Sequence, residues 1–155
     1  MNLTSAQQNT LRAAVLAEPT LTQAVANFDD AQVVAWFNTN QPAFIVWRSN
    51  VATREMLEVV TWTDVDGLTN GRARIFDWML KLPVIDVGIA KVRTGLADCF
   101  GVASASYISI LAVLKRSATR AESLLANGTG TDASPARLRA EGAITNADVA
   151  AILRG

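Results

Sequence analysis

The residues that could carry chemistry in this chain are few. No histidine occurs, which removes the commonest general base, the usual metal ligand and the Ser-His pairings together. Cys99 is the only cysteine, and a lone thiol forms neither an internal disulfide nor a thiolate metal cluster. It stands between Asp98 and Phe100 in a helical pattern, the setting of a buried and inert thiol rather than a nucleophile. The carboxylates offer little more. Asp64, Asp66 and Gly67 share the opening of a calcium loop, but the third acidic ligand and the closing glutamate are missing. Asp29 and Asp30 precede Val33, Val34, Trp36 and Phe37, where carboxylates cap a helix and match its dipole. Glu55 and Glu58, with Arg54 nearby, read as solvated surface groups. Gly128 and Gly130 follow a helical pattern instead of leading from strand to helix, so they make no phosphate loop. The expectation is a chain with no catalytic, cofactor-binding or metal site of its own. An enzyme working through carboxylates alone is the alternative.

The elements that would hold these groups read as mostly helical. Thr4 with Gln7 spells a capping box, and Leu11, Ala14 and Val15 recur at helical spacing. Glu18-Pro19 ends that helix and starts a short second one. Phe44 to Arg48 is an apolar run that fits a strand or an extended buried segment, and periodicity does not decide between them. Thr69-Asn70-Gly71 opens an amphipathic helix in which Ala73, Ile75, Phe76, Met79 and Leu80 are expected to face inward. Asp86 is placed as the cap of the next helix, which Gly101 breaks. The longest helix is expected from about Ala103 to about Ala126, on a stripe of Tyr107, Ile110, Leu111, Leu114, Ala118, Ala121 and Leu125. Asn127-Gly128 stops it. A small, polar, turn-rich tail follows, and Thr145 to Asp148 start a last helix with Val149, Ile152 and Leu153.

The fold class expected from this reading is mainly α. It is a compact bundle of about six to seven helices around one long central helix, with at most a short strand pair. Residues 1–126 form the body, and residues 127–155 form an extended C-terminal arm ending in a short helix.

A chain of 155 residues fits one domain. Only 18% of its residues are charged, below the usual quarter, and a low-charge surface leaves apolar area for a permanent partner to cover. Net charge is zero, which argues against a general nucleic-acid binder. No stretch approaches the ~18 apolar residues of a membrane span, and the first residues lack the pattern of a signal peptide. Partner contacts are expected at Trp62, the best candidate for an exposed tryptophan. They are also expected at Lys115, Arg116 and Arg120, at Arg137 and Arg139, and at Ile152 and Leu153. Trp36, Trp47 and Trp78 are read as core.

Three stretches, Trp36 to Glu55, Gly67 to Met79 and Lys115 to Val149, together resemble a family of small proteins encoded in the structural-gene regions of tailed bacteriophages and prophages. The most specific part runs from Arg120-Ala121-Glu122 through Gly128-Thr129-Gly130-Thr131 and Ala133-Ser134-Pro135 to Glu141-Gly142. The resemblance implies a virion or morphogenesis setting, with synthesis in the bacterial host cytoplasm, and carries over no catalytic residue. Among small virion components, head–tail adaptors are mostly helical with an extended C-terminal segment, so the adaptor is the expected slot by analogy of fold. In that picture the bodies form a homo-oligomeric ring at the portal. The segment from Asn127 reaches a neighbour, with Arg137 and Arg139 meeting acids and Ile152 and Leu153 filling a groove. DNA is only passing cargo. Another helical neck, minor capsid or tail protein, or a small phage protein that binds a host target, are the alternatives.

Overall fold

The computed structural model describes residues 1–155. The chain opens with α1 (Ser5–Leu16), a 3₁₀ turn (Pro19–Leu21), α2 (Thr22–Ala26), α3 (Asp30–Phe37) and strand β1 (Asn40–Trp47). Next come β2 (Val51–Ala52), α4 (Thr53–Leu57), α5 (Trp62–Asp66), α6 (Asn70–Leu80), β3 (Val84–Ile85), α7 (Ala90–Phe100) and α8 (Ala105–Val113). It closes with β4 (Lys115–Thr119), α9 (Arg120–Leu125), β5 (Ala136–Arg137) and α10 (Asn146–Arg154). Two compact units divide the chain, one made of Met1–Val46 and Ser117–Gly155, the other of Trp47–Arg116.

The first unit is built from both ends of the sequence. Its helices start where short polar side chains satisfy the free N–H groups of a first turn. Thr4 and Gln7 cap α1 reciprocally, and Thr145 and Asp148 do the same for α10. The Asp29 carboxylate accepts from the Gln32 amide at the start of α3. These helices bury Leu11, Val15, Leu21, Val33, Phe37, Ala121, Leu125, Ile144, Val149 and Ile152 in one cluster. A smaller cluster of Val46, Ala118 and Ala136 belongs to the three-stranded sheet, in which β1 lies between β4 and β5.

The second unit has its own core of Val51, Met56, Val60, Phe76, Met79, Ile85, Val87, Leu96, Cys99, Ile110 and Leu114. The β2–β3 pair is antiparallel, with Val51 opposite Ile85. The α6 helix starts on the Thr69 hydroxyl, which accepts from the Arg72 amide, and packs along α7. Gly101, with a φ of 81°, ends α7. Glu55 is not a free surface group: it takes a bidentate contact from the Arg48 guanidinium at 2.6 and 3.0 Å.

The fold class is a correction. The molecule is 54% helix and 13% strand, with ten helices and a three-stranded sheet, rather than a mainly α bundle of six to seven helices. The expected long helix is absent. Its span is three elements, α8, β4 and α9. Thr119 starts α9 with a fresh capping box: its hydroxyl accepts from the Glu122 amide, and the Glu122 carboxylate accepts from the Thr119 amide. The residues of the expected stripe are all buried, but in separate clusters: Leu114 in the second unit's core, Ala118 beside the sheet, and Ala121 and Leu125 in the first unit's core. The expected extended arm is also corrected. Residues 127–155 fold back and supply Ala136, Ile144, Val149 and Ile152 to the first unit's cores.

Candidate docking surface

The α6 helix is apolar on two sides. Phe76 and Met79 point into the core. Ile75 and Trp78, expected inside, point out instead, 48% and 64% exposed, and Leu82 just beyond the helix is 38% exposed. Gly71, Ile75, Trp78 and Leu82 fall at spacings of four, three and four, so they form one stripe along the outer face. A second apolar stripe on one helix is normally covered as well. Here only the inner side is covered by the chain itself.

Beside the stripe lies an open groove of about 310 Å³, lined by Ile75, Trp78, Met79, Leu82, Ile85, Lys91, Val92 and Gly95. Its walls are α6 and α7, with Leu82 and Ile85 at one end. Gly95 lies inside α7, where glycine costs roughly 0.5–1 kcal/mol relative to alanine. A Cβ at Gly95 would meet nothing within 4 Å, so no close packing inside the chain requires a glycine there. The missing methyl widens the groove. Gly71, at the start of the stripe, has the same open surroundings and borders a second depression with Arg74, Ile75 and Trp78.

The charge around the groove is mostly of one sign. Between Asn70 and Asp98 stand the cations Arg72, Arg74, Lys81, Lys91 and Arg93 and three acids, Asp77, Asp86 and Asp98. Two of the acids are occupied: Asp77 pairs with Lys81 at 2.7 Å, and Asp86 accepts from the Gly88 amide at 2.8 Å. That bond corrects the expected role of Asp86, which closes a turn while Ile89 takes the cap position of α7. Asp98 is exposed on α7. Arg93 lies over the Trp47 ring, 4.5 Å from its centroid. The side chains of Arg74 and Lys91 are exposed and make no hydrogen bond or ion pair.

The residues singled out in the sequence fall in varied places. Trp62 is exposed at the first position of α5. Lys115 and Arg116 are half-buried on β4 and engaged in contacts. Arg120 stacks over the Trp36 ring at 4.5 Å. Arg137 is exposed, but its backbone pairs in both directions with Asn127. Arg139 is exposed, and its carbonyl accepts from the Gln7 side chain at 3.2 Å. Ile152 is 2% exposed in the first unit's core, and Leu153 packs against the same core. The sequence reading missed Ile75, Trp78 and Leu82 as surface residues. A usable signal was present, since one helix carried two apolar stripes where a surface helix needs one.

The groups with intrinsic reactivity are elsewhere and committed. Cys99 is buried, and burial pushes its thiol up, with Asp98 adding to the effect and Arg72 opposing it. The Ser106 hydroxyl is buried and accepts from the Thr61 amide at 2.8 Å. No three His, Cys, Asp or Glu side chains come together in a set able to hold a metal ion, and no helix is long and apolar enough to cross a membrane. Comparison with known proteins found no matching family model, no similar curated protein and no similar solved structure.

Proposed function

We propose that this protein works by docking another polypeptide on the α6–α7 face, as a structural component of a tailed bacteriophage virion. The observation that carries the docking reading is the exposed stripe of Ile75, Trp78 and Leu82 beside an apolar groove. Large contiguous apolar surface on a small domain marks an interaction site, and a central tryptophan is the residue type most often found at the energetic centre of an interface. The phage setting is supported by the resemblance of the three sequence stretches alone. Expectation of the head–tail adaptor slot rests on a mainly helical body with a reaching arm. A mixed α/β body and a folded-back C-terminal segment remove that support, so the reading stays at the level of a virion assembly protein whose partners are neighbouring structural proteins.

The test is to quantify the chain by mass spectrometry in purified particles made with the wild-type gene or with Trp78→Asp. Trp78 is mostly exposed, so the variant should keep its circular dichroism spectrum. The wild-type chain should be present at a fixed copy number and the variant depleted at least about tenfold, a loss of ~1.4 kcal/mol or more. Absence of the wild-type chain from particles would overturn the virion setting. Incorporation of the variant at wild-type level would overturn the docking face.

A further inference from the structure

We infer that the occupant of the α6–α7 groove is a partner helix with one apolar face and carboxylates along its edges. The inference rests on the docking reading above and adds the chemistry of what docks. The stripe from Gly71 to Leu82 covers three helical turns, about 16 Å of rise, and runs along two helices packed side by side. A third helix laid on such a pair meets ridges and a groove of matching pitch. It reads as side chains at i, i+3, i+4 and i+7, the usual way an amphipathic helix enters a groove. The space fits that occupant. A cavity of roughly 150 Å³ holds one benzene ring, so about 310 Å³ takes two side chains of that size from successive turns. The glycine at 95 leaves room for a close approach of the partner backbone.

Charge selects among helices. Arg74 and Lys91 line the depressions and have no partner in the chain; Asp77 and Asp86 are already bonded, which leaves Asp98 as the one unbonded acid of the 70–98 segment. Like charges across an interface are a cost, and opposite charges steer encounter and fix register. A second copy docking through the same face would bring two patches of net positive charge together, since a two-fold contact repeats one patch on both sides. An acid-edged helix from a different protein removes that conflict and neutralises both cations.

The test uses the full chain and two fluorescein-labelled synthetic helices of about four turns. Both carry leucine at i, i+3, i+4 and i+7. One has glutamates on the flanking positions and the other has lysines. Anisotropy titrations should show the glutamate helix binding at least about tenfold more tightly than the lysine helix at low salt, with the gap closing as screening shortens the range of charge. The double variant Arg74→Glu with Lys91→Glu should reverse the preference, and Trp78→Asp should weaken both helices. Equal affinity for the two helices, or no binding of either, would overturn the inference. Light scattering on the chain alone gives the other decisive result. Self-association that Trp78→Asp abolishes would name a second copy as the occupant, sinking the acidic helix while leaving the docking face in place.

Discussion

A Cβ added at Gly130 would lie 2.5 Å from the Phe44 ring, on a backbone with a φ of 69°. The Gly130 carbonyl also accepts from the Ile45 amide at 2.6 Å, so the backbone cannot retreat without losing a bond to β1. Gly128, with a φ of 125° and Ala136 Cα 3.1 Å from its would-be Cβ, is held in the same way. The Gly-x-Gly run is therefore a packing device that seats residues 127–137 against the sheet. Gly130→Ala should lose about 1–2 kcal/mol to the left-handed backbone and typically ~1–3 more to overpacking. The unfolding midpoint should fall by on the order of 10 °C. Gly95→Ala should move the other way, gaining roughly 0.5–1 kcal/mol because α7 is stiffened and no neighbour is met. Calorimetry on the two variants reads both signs. A fall in both would mean that Gly95 serves internal packing and that the groove owes nothing to its missing methyl.

At the scale of elements, α5 and α8 fasten each other. The Asp64 carboxylate of α5 accepts from the Ser106 amide in the first turn of α8 at 2.9 Å, where a helix has free N–H groups and favours negative charge. Hydrogen bonding from Ser106, by its side chain and then its amide, holds the Asp64 carboxyl below its ordinary value despite an opposing desolvation effect. A carboxyl depressed by folding stabilises the fold above its unfolded pKa, and that contribution is lost as pH falls through the folded value. The wild-type chain should therefore hold its urea resistance from neutral pH down to about pH 5 and lose it as pH falls further. Asp64→Asn should start lower and lose less across the same window. An equal loss in both proteins would show that the α5–α8 contact adds no acid dependence. The same interlock explains which elements were legible in the sequence. Local devices are legible directly: the box Thr4–Gln7, the cap at Asp29, the helix starts at Thr69 and at Thr145 to Asp148, and the stop at Gly101. Those structures are made of residues a few positions apart. The strand β4 was not legible, because its partner β1 is remote in sequence and Leu114, Ala118, Ala121 and Leu125 keep a helical spacing by coincidence of three elements. Thr119 and Glu122 did carry a helix-start signal inside the supposed long helix. The docking face was missed for a related reason. Ile75 and Trp78 are apolar residues at helical spacing, and spacing alone does not say which of two stripes the chain covers.

For the whole molecule, the decisive fact is that its two main cores share no residue. Leu11, Val33, Phe37 and Leu125 belong to one, and Phe76, Met79, Leu96 and Ile110 to the other. The second unit is a continuous stretch of about 70 residues, a size at which one core rarely supplies more than roughly 3–5 kcal/mol. Leu96 is fully buried, and a buried Leu→Ala change costs about 2–5 kcal/mol. Leu96→Ala should thus bring the second unit close to local unfolding while the first unit keeps its own packing. Hydrogen exchange read by mass spectrometry should show α6, α7 and α8 losing protection and α1, α3 and α9 retaining it. The groove on α6 and α7 should fail with its unit, so the glutamate-edged helix should no longer bind. Phe37→Ala, in the first unit's core, should give the opposite map: α1, α3, α9 and α10 open, α6 to α8 protected and helix binding preserved. A uniform loss of protection in both variants would mean that the chain unfolds as one cooperative block. Distinct maps would locate the stability of the docking face inside Trp47–Arg116, where every residue that forms it also resides.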